Sequence, residues 1–170
     1  QNISVGGMRN QFNRFTLDGV ENTDPNFNTY VIFPSVEALQ EFTADLLGKE
    51  ASLFMPSGSM TNQIAIRVHC DRGDEFLCEA DCHVYNYEQG AFAQLSGVVA
   101  RTIQGTHGVL EPQQFHGKIR PAGDHLVRTK LVCLENTHNR GGGTIQPLEN
   151  VDAICQWAHA EVEYRFEVGR

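Results

Sequence analysis

The stretch "KLVCLENTHNRGGG", residues 130–143, joins a short apolar run to a polar segment and then to three consecutive glycines. A short apolar run that ends at polar residues is typical of a buried strand in a parallel sheet, and ligands collect where such strands end. The polar side chains after the run belong to Glu135, Asn136, His138 and Asn139. The stretch therefore predicts an α/β fold with a ligand-binding loop, and a plain polar turn is the alternative.

Two more strands and three helices are predicted around this strand. The segments "DEFLCEA", 74–80, and "GVVARTI", 97–103, have the apolar and β-branched character of strands. Apolar side chains at helical spacing predict helices over Val36–Leu47, Tyr87–Leu95 and Asp152–Ala160. Because strands and helices alternate along the chain, the sheet should be mainly parallel.

The segments before and after the first predicted helix differ in their predicted secondary structure. Residues 1–34 contain the turn signals "LDGV" and "TDPN" but no helical period, which predicts loops and short strands. Further on, "ASLFM" at 51–55 predicts a strand or an extended segment. It is followed by "PSGSMTNQ", which predicts a tight loop, and by "IAIRV", which predicts a helix.

Composition excludes several classes of function. The 13 basic and 21 acidic residues give a formal net charge of −8, and no basic stripe is present, so nucleic acid is not expected as a partner. No apolar run reaches the length of about eighteen residues that would predict a membrane-spanning helix. The cysteines are odd in number and fit no familiar zinc spacing, which predicts a reduced, cytoplasmic protein without a metal site.

The loop "PSGSM", residues 56–60, is a candidate phosphate-binding loop. Gly58 would let a ligand approach the backbone closely, and Ser57 and Ser59 offer hydroxyl groups. The helix that follows offers free N–H groups and the positive end of its dipole, which suit an anion. The alternative is an ordinary helix start that is capped by a serine.

The loop "EADCH", residues 79–83, brings a histidine next to other chemically active side chains. His83 is close in sequence to Tyr85, Tyr87 and Glu88. Its imidazole could stack on a flat ring or act as an acid and base. The alternative is a histidine that only makes structural hydrogen bonds.

From about Thr43 to Ala160 the chain closely resembles the low-specificity L-threonine aldolases, pyridoxal-phosphate lyases of the aspartate-aminotransferase fold type. Four segments carry the resemblance in the family's order: "LLGKEASLFMPSGSMTNQIAIRVHC", "GDEFLCEADCHVYNYEQGAFAQLSG", "RTKLVCLENTHNRGGGTIQPLE" and "AICQWAHA". The resemblance implies a partial three-layer α/β/α sandwich with a mainly parallel sheet, as in the large domain of such enzymes, preceded by a loop-rich segment.

The resemblance also implies a cofactor, a reaction and roles for individual residues. The cofactor would be pyridoxal 5'-phosphate, with Ser57, Gly58 and Ser59 matching the phosphate-binding loop and His83 matching the imidazole that stacks on the cofactor ring. His138 matches a histidine beside the substrate hydroxyl. The reaction would cleave a β-hydroxy-α-amino acid to glycine and an aldehyde, with His83 or His138 handling the proton directly or through water. The enzyme would be a cytoplasmic homo-oligomer.

The lysines depart from the family pattern. They are Lys49, Lys118 and Lys130, and none stands in the context of the family's Schiff-base lysine. That lysine, the aspartate under the pyridine nitrogen and the arginine for the substrate belong to segments that would follow residue 160. We therefore expect this chain alone to be inactive.

The two ends resemble a different family. Residues 1–42 and 161–170 are similar to the plug of TonB-dependent, Oar-like outer-membrane receptors. The predicted organisation is therefore a plug-like segment at 1–42, an aldolase-like domain at 43–160 and a plug-like tail at 161–170. The alternative function is a non-enzymatic plug segment of such a receptor in a bacterial outer membrane.

Overall fold

The computed structural model describes residues 35–161, together with the backbone of residues 16–17 and 20–21. The predictions for the remainder of residues 1–34 and for residues 162–170 lie outside the described residues. The chain divides into two compact units, Gln1–Phe54 and Met55–Arg170. This division does not test the boundaries at residues 42 and 160, which stay predictions.

The described part of the first unit contains two short paired strands and one helix. Strands β1 (Thr16–Leu17) and β2 (Val20–Glu21) pair antiparallel. Helix α1 (Val36–Leu47) begins at Ser35, whose hydroxyl accepts a hydrogen bond from Ala38 N at 3.2 Å. The predicted helix is therefore confirmed, but its apolar side chains are exposed, since Phe42 and Leu46 expose 63% and 70% of their surface.

The second unit is built on a parallel sheet of three strands in the order β4-β3-β5. These strands are β3 (Asp74–Glu79), β4 (Val99–Ile103) and β5 (Arg128–Cys133). Every residue of the central strand β3 is buried. A strand that is covered on both faces reads as a continuous apolar run, which explains why "FLC" does not alternate with polar residues.

Helices cover both faces of this sheet. Side chains of β3 alternate between the faces, with Phe76 in the core below helix α2 (Gly58–His69) and Leu77 in the core below helix α4 (Leu148–Glu161). Helix α3 (His83–Asn86), a π-helix (Phe92–Ser96) and a 3₁₀-helix (Pro112–Phe115) complete this unit. The predicted α/β fold, a partial three-layer sandwich with a parallel sheet, is confirmed.

Two local predictions are wrong. Helix α2 begins at Gly58, inside the predicted tight loop, while the segment 51–55, predicted as a strand or an extended segment, forms no strand. The helix predicted over Tyr87–Leu95 is reduced to a π-helix that begins at Phe92, because the backbone takes positive φ angles at Gln89 and Gly90, 54° and 65°. A residue with positive φ does not fit a right-handed helix, so the helical pattern is interrupted there.

No helix in the described part of the chain is both long enough and apolar enough to cross a membrane.

Candidate active site

A pocket of about 110 Å³ lies at the carboxyl ends of β3 and β5, beside helix α2. Three segments form its walls: Asn62, Ala65 and Ile66 of α2, Cys82, His83 and Val84 after β3, and Leu131, Cys133, Leu134 and Glu135 on and after β5. Parallel sheets bind ligands at this edge, because polar loops and helix N-termini meet there. The pocket therefore lies where the sequence predicts a ligand.

His83 is the imidazole that reaches this pocket. It is the first residue of α3 and follows Cys82, whose extended backbone, φ −66° and ψ 155°, turns the chain from β3 into the short helix. The side chain of His83 is 41% exposed, and its Nδ1 lies 3.0 Å from Oε1 of Glu88. The ring of Tyr87 is tilted against it, with 5.8 Å between the centroids. A partly exposed imidazole that is held at one nitrogen can contact a ligand with the rest of its ring.

Glu88 is a buried carboxylate that connects this histidine to helix α2. Its side chain is fully buried. Asn62 Nδ2 donates to its Oε1 at 2.7 Å, and Gln63 Nε2 donates to its Oε2 at 2.5 Å. The sequence places Glu88 near His83 but gives no sign of these contacts, because residues 62 and 88 are far apart along the chain. Glu88 therefore belongs to the site for a reason that only the packing reveals.

Glu135 organises the loop that follows β5. Its Oε2 accepts a hydrogen bond from the backbone N–H of His83 at 2.6 Å, and its Oε1 accepts one from the N–H of Asn139 at 2.9 Å. The same Oε2 lies 3.9 Å from Nε2 of His138. Glu135 therefore lines the pocket and separates it from His138. The sequence names Glu135 as a polar residue of the loop, without a role.

His138 is buried behind the pocket wall, with an exposed fraction of 1%. Its Nε2 lies 2.9 Å from Oε2 of Glu79, and its Nδ1 accepts a hydrogen bond from Gly141 N at 3.0 Å. An imidazole nitrogen that accepts carries no proton, so Nε2 is the protonated nitrogen and donates to Glu79. Both ring nitrogens therefore have partners inside the protein.

Two glycines allow the loop after β4 to close over this buried pair. Gly105 N donates to Oε1 of Glu79 at 3.0 Å. At Gly108, where φ is +81°, an added Cβ would lie only 2.2 Å from Cγ of His138. The loops after β3, β4 and β5 therefore meet at Glu79 and His138, which join the three strands at one edge of the sheet.

The predicted phosphate loop is the start of helix α2. Ser57 is the N-cap residue, and its hydroxyl oxygen accepts a hydrogen bond from Met60 N at 3.2 Å. The N–H groups of Gly58 and Ser59 precede the first hydrogen bond inside the helix and have no partner within it. Asn62, on the pocket wall, comes four residues after Gly58, which is about 6 Å along the helix axis. The serine cap is present, and the same helix start has N–H groups that lack a partner inside the helix.

Neither the backbone conformation nor a contact within the chain requires a glycine at position 58. The φ angle of Gly58 is not in the left-handed region, and an added Cβ would have no atom within 4 Å. A glycine in the middle of a helix costs roughly 0.5–1 kcal/mol relative to alanine, whereas Gly58 is the first residue of α2. A group outside the chain that approaches this backbone would supply the missing reason.

The thiols and lysines limit the chemistry of the pocket. Burial raises the pKa of Cys133 far above its ordinary value, so this pocket-lining thiol stays protonated and unreactive at neutral pH. In the described part of the chain, no lysine lines the pocket. Covalent attachment of a ligand through Cys133, or through a lysine of the described residues, is therefore not favoured.

The sequence of this chain matches one enzyme family over most of its length. The profile of the family described as "Beta-eliminating lyase" matches residues 26–163, and the chain belongs to this family. Enzymes of this family and threonine aldolases depend on pyridoxal 5'-phosphate.

Individual relatives agree with this assignment. The low specificity L-threonine aldolase of Escherichia coli K12 is 40% identical over 117 residues, which are 68% of this chain and 34% of that protein. The low-specificity L-threonine aldolase 1 of Arabidopsis thaliana is 38% identical over 129 residues, 74% of this chain and 36% of that protein. The chain therefore spans about a third of the length of the relatives it matches.

A solved structure supports the fold. The threonine aldolase of Leishmania major superposes with a TM-score of 0.60 at 23% identity, covering 69% of this chain and 34% of that one. None of these similarities supports the receptor-plug alternative, and the family match begins at residue 26, inside the segment that the sequence predicts to be plug-like.

Proposed function

We propose that this chain carries the cofactor-binding part of a lyase of the threonine aldolase type, which cleaves a β-hydroxy-α-amino acid to glycine and an aldehyde. The observation that carries the proposal is the position of His83. Its half-exposed ring lies on a pocket wall that it shares with helix α2, and the start of α2 has free N–H groups. An aromatic ring on the pocket wall, and an anion-binding start on the helix that forms part of that wall, suit a flat, phosphorylated ring.

The residues present fit pyridoxal 5'-phosphate. Ser57, Gly58 and Ser59 would hold the phosphate with their N–H groups and hydroxyls, and Gly58 would let it approach without a clash. His83 would lie against the cofactor ring. The pocket of about 110 Å³ is smaller than the roughly 300–1,000 Å³ of typical ligand sites, so these residues would form one wall of a larger site.

Removal of the proton from the substrate hydroxyl is the step that this chain's residues would carry out. When bound, the cofactor supplies an electron sink next to the bond that breaks. His83 would accept the hydroxyl proton, since a neutral imidazole is a suitable base near pH 7. His138 would act indirectly, by holding Glu79 and the loops behind the pocket, because both of its ring nitrogens already have partners.

Cofactor binding is the first test of this proposal. The full chain should bind pyridoxal phosphate in equilibrium dialysis, and inorganic phosphate should compete. The variant His83→Ala should bind at least tenfold more weakly, because stacking contacts are lost, while His159→Ala on the exposed side of α4 should bind like the wild type. Equal binding by wild type and His83→Ala would contradict the proposal.

The products formed from amino acids test the reaction. Since we expect the chain alone to be inactive, the assay uses the chain joined to the threonine aldolase segments that carry the Schiff-base lysine. With pyridoxal phosphate and L-threonine, this protein should yield equal amounts of glycine and acetaldehyde, faster than the cofactor alone, and His83→Ala should remove the difference. L-Serine serves as a diagnostic substrate, since aldol cleavage gives glycine and formaldehyde whereas β-elimination gives pyruvate and ammonia. Formation of pyruvate would assign the chain to an eliminating lyase instead.

A homo-oligomer is part of this proposal. Helix α2 exposes Met60, Ile64 and Val68, which lie four residues apart and form one apolar stripe with exposed fractions of 44%, 37% and 73%. Covering this stripe with a second copy would remove apolar surface from water. Size-exclusion chromatography with light scattering should give a mass above 18.9 kDa, and a sharp monomer peak would contradict it.

A cytoplasmic location is also proposed. No disulfide joins any of the five cysteines, all of which lie among the described residues, and cysteines without disulfides are typical of reducing compartments. Fractionation of the source cells with an antibody against the chain would test it, and recovery in the membrane fraction would count against it.

A further inference from the structure

The carboxylate of Glu88 has three hydrogen-bond contacts inside the protein. Two are the side-chain amides of Asn62 and Gln63 on α2, and the third contact is Nδ1 of His83 at 3.0 Å. An ionised carboxylate has only acceptor atoms, and in that form Glu88 accepts from both amides. The contact with His83 is then a hydrogen bond only if Nδ1 carries the proton.

This requirement determines the form of the neutral imidazole. A neutral histidine has one protonated and one bare nitrogen. With the proton on Nδ1, Nε2 is bare and lies on the ring edge away from Glu88. Because 41% of the side chain is exposed on the pocket wall, this bare nitrogen is the one that a group in the pocket can reach.

We propose that Glu88 is the positioning residue that holds His83 in its Nδ1-protonated form, with a bare Nε2 offered to the pocket. The inference rests on the proposed function for its purpose, since the bare Nε2 is the atom that would accept the substrate hydroxyl proton. The hydrogen bond itself belongs to the chain and does not depend on the cofactor.

The burial of Glu88 makes it suited to this role. When His83 accepts a proton at Nε2, it becomes a cation, and the ionised carboxylate beside Nδ1 stabilises that charge, because Glu88 itself is shielded from water. Asn62 and Gln63 hold the carboxylate in place, so it cannot rotate away. Since both lie on α2, the helix that would bind the phosphate also determines where the imidazole stands.

The experiment is a nitrogen–proton correlation spectrum of the histidine rings of the full chain without cofactor. In the wild type, His83 should show its proton-bearing nitrogen at Nδ1 and its bare nitrogen at Nε2, and His83→Gln assigns these signals by their loss. The variant Glu88→Met should convert His83 to the Nε2-protonated form, which an unpartnered imidazole favours, while the other six histidines keep their signals.

Glu88→Gln is the matched variant. Its amide oxygen can still accept from Nδ1. Its amide nitrogen can donate to the side-chain oxygen of Gln63, which has no partner in the wild type, once the Gln63 amide turns over so that this oxygen replaces Nε2. Glu88→Gln should therefore keep the Nδ1-protonated form but lose the charge that stabilises a protonated ring. In the threonine assay, we expect a loss in kcat of tenfold or more with little change in cofactor affinity.

Two results would overturn the inference. One is a wild-type spectrum in which the proton of His83 is on Nε2, and this result holds even if Glu88→Met fails to fold. The other is a folded Glu88→Met variant whose His83 signals are unchanged. Failure of the chain to bind pyridoxal phosphate would instead contradict the proposed function and leave the spectra of His83 as they are, so the two failures are distinguishable.

Discussion

Replacing Gly108 with alanine should destabilise the protein strongly, because the new Cβ would collide with the buried ring of His138. The distance to Cγ of that ring would be 2.2 Å. The ring cannot move aside freely, since its Nε2 is bound to Glu79 and its Nδ1 to Gly141. Two costs follow, roughly 1–2 kcal/mol for an alanine in the left-handed region and roughly 1–3 kcal/mol for overpacking.

Gly117→Ala is the control that separates these two costs. Gly117 also has a positive φ, +68°, but an added Cβ would have no atom within 4 Å. Both variants share the backbone strain and the reduced entropy of the unfolded chain. The free energy of unfolding, measured by urea titration with circular dichroism, should therefore be lower for Gly108→Ala by about 1–3 kcal/mol. Equal stability of the two variants would show that His138 is not packed against Gly108.

Three further predictions test helix α2, the buried thiol and the apolar faces. Ser57→Ala and Ser35→Ala should each cost about 1 kcal/mol as lost helix caps, but only Ser57→Ala should weaken pyridoxal phosphate binding in dialysis. Burial raises the pKa of Cys70 from 9.0 to about 11, so the folded state holds this proton more tightly. The free energy of unfolding should then fall by up to about 2–3 kcal/mol between pH 9 and pH 11, and less in Cys70→Ala. Phe42→Asp should change stability by less than about 0.5 kcal/mol because Phe42 is 63% exposed, whereas Ile66→Ala should cost about 2–5 kcal/mol. A large loss for Phe42→Asp in chemical denaturation would show that this side chain is covered in solution.

The elements that could be predicted are those with strong local signals. Helix α1 follows from its apolar spacing and its serine cap, and β3 and β5 follow from short apolar runs between turns. The apolar spacing of α1 does not predict whether its side chains are buried. An apolar face shows that the helix needs a packing partner, but it does not identify that partner. The helix expected over residues 87–95 failed because Gln89 and Gly90 leave the helical region, and spacing alone does not reveal a local φ angle.

The site shows the same limit. His83 and the start of α2 were found from local sequence and from resemblance, since each is a short motif with its own chemistry. Glu88 was noticed only as a neighbour of His83, and its contacts with residues 62 and 63 were not predictable from spacing. His138 was expected beside a substrate, and its role stays a proposal, but its burial against Glu79 depends on three loops that meet across the sheet.

The sequence by itself determined the strands, most helices and the family to which the chain belongs, because hydrophobic periodicity and ordered motifs are properties of contiguous residues. Only the tertiary structure decided which nitrogen of His83 is held by a carboxylate, and that His138 is enclosed while His83 is exposed. These features arise from residues that are distant in sequence and brought together by packing on the sheet. Burial then determines the hydrogen bonds of these side chains, because a carboxylate that is shielded from water must accept hydrogen bonds from other groups of the protein.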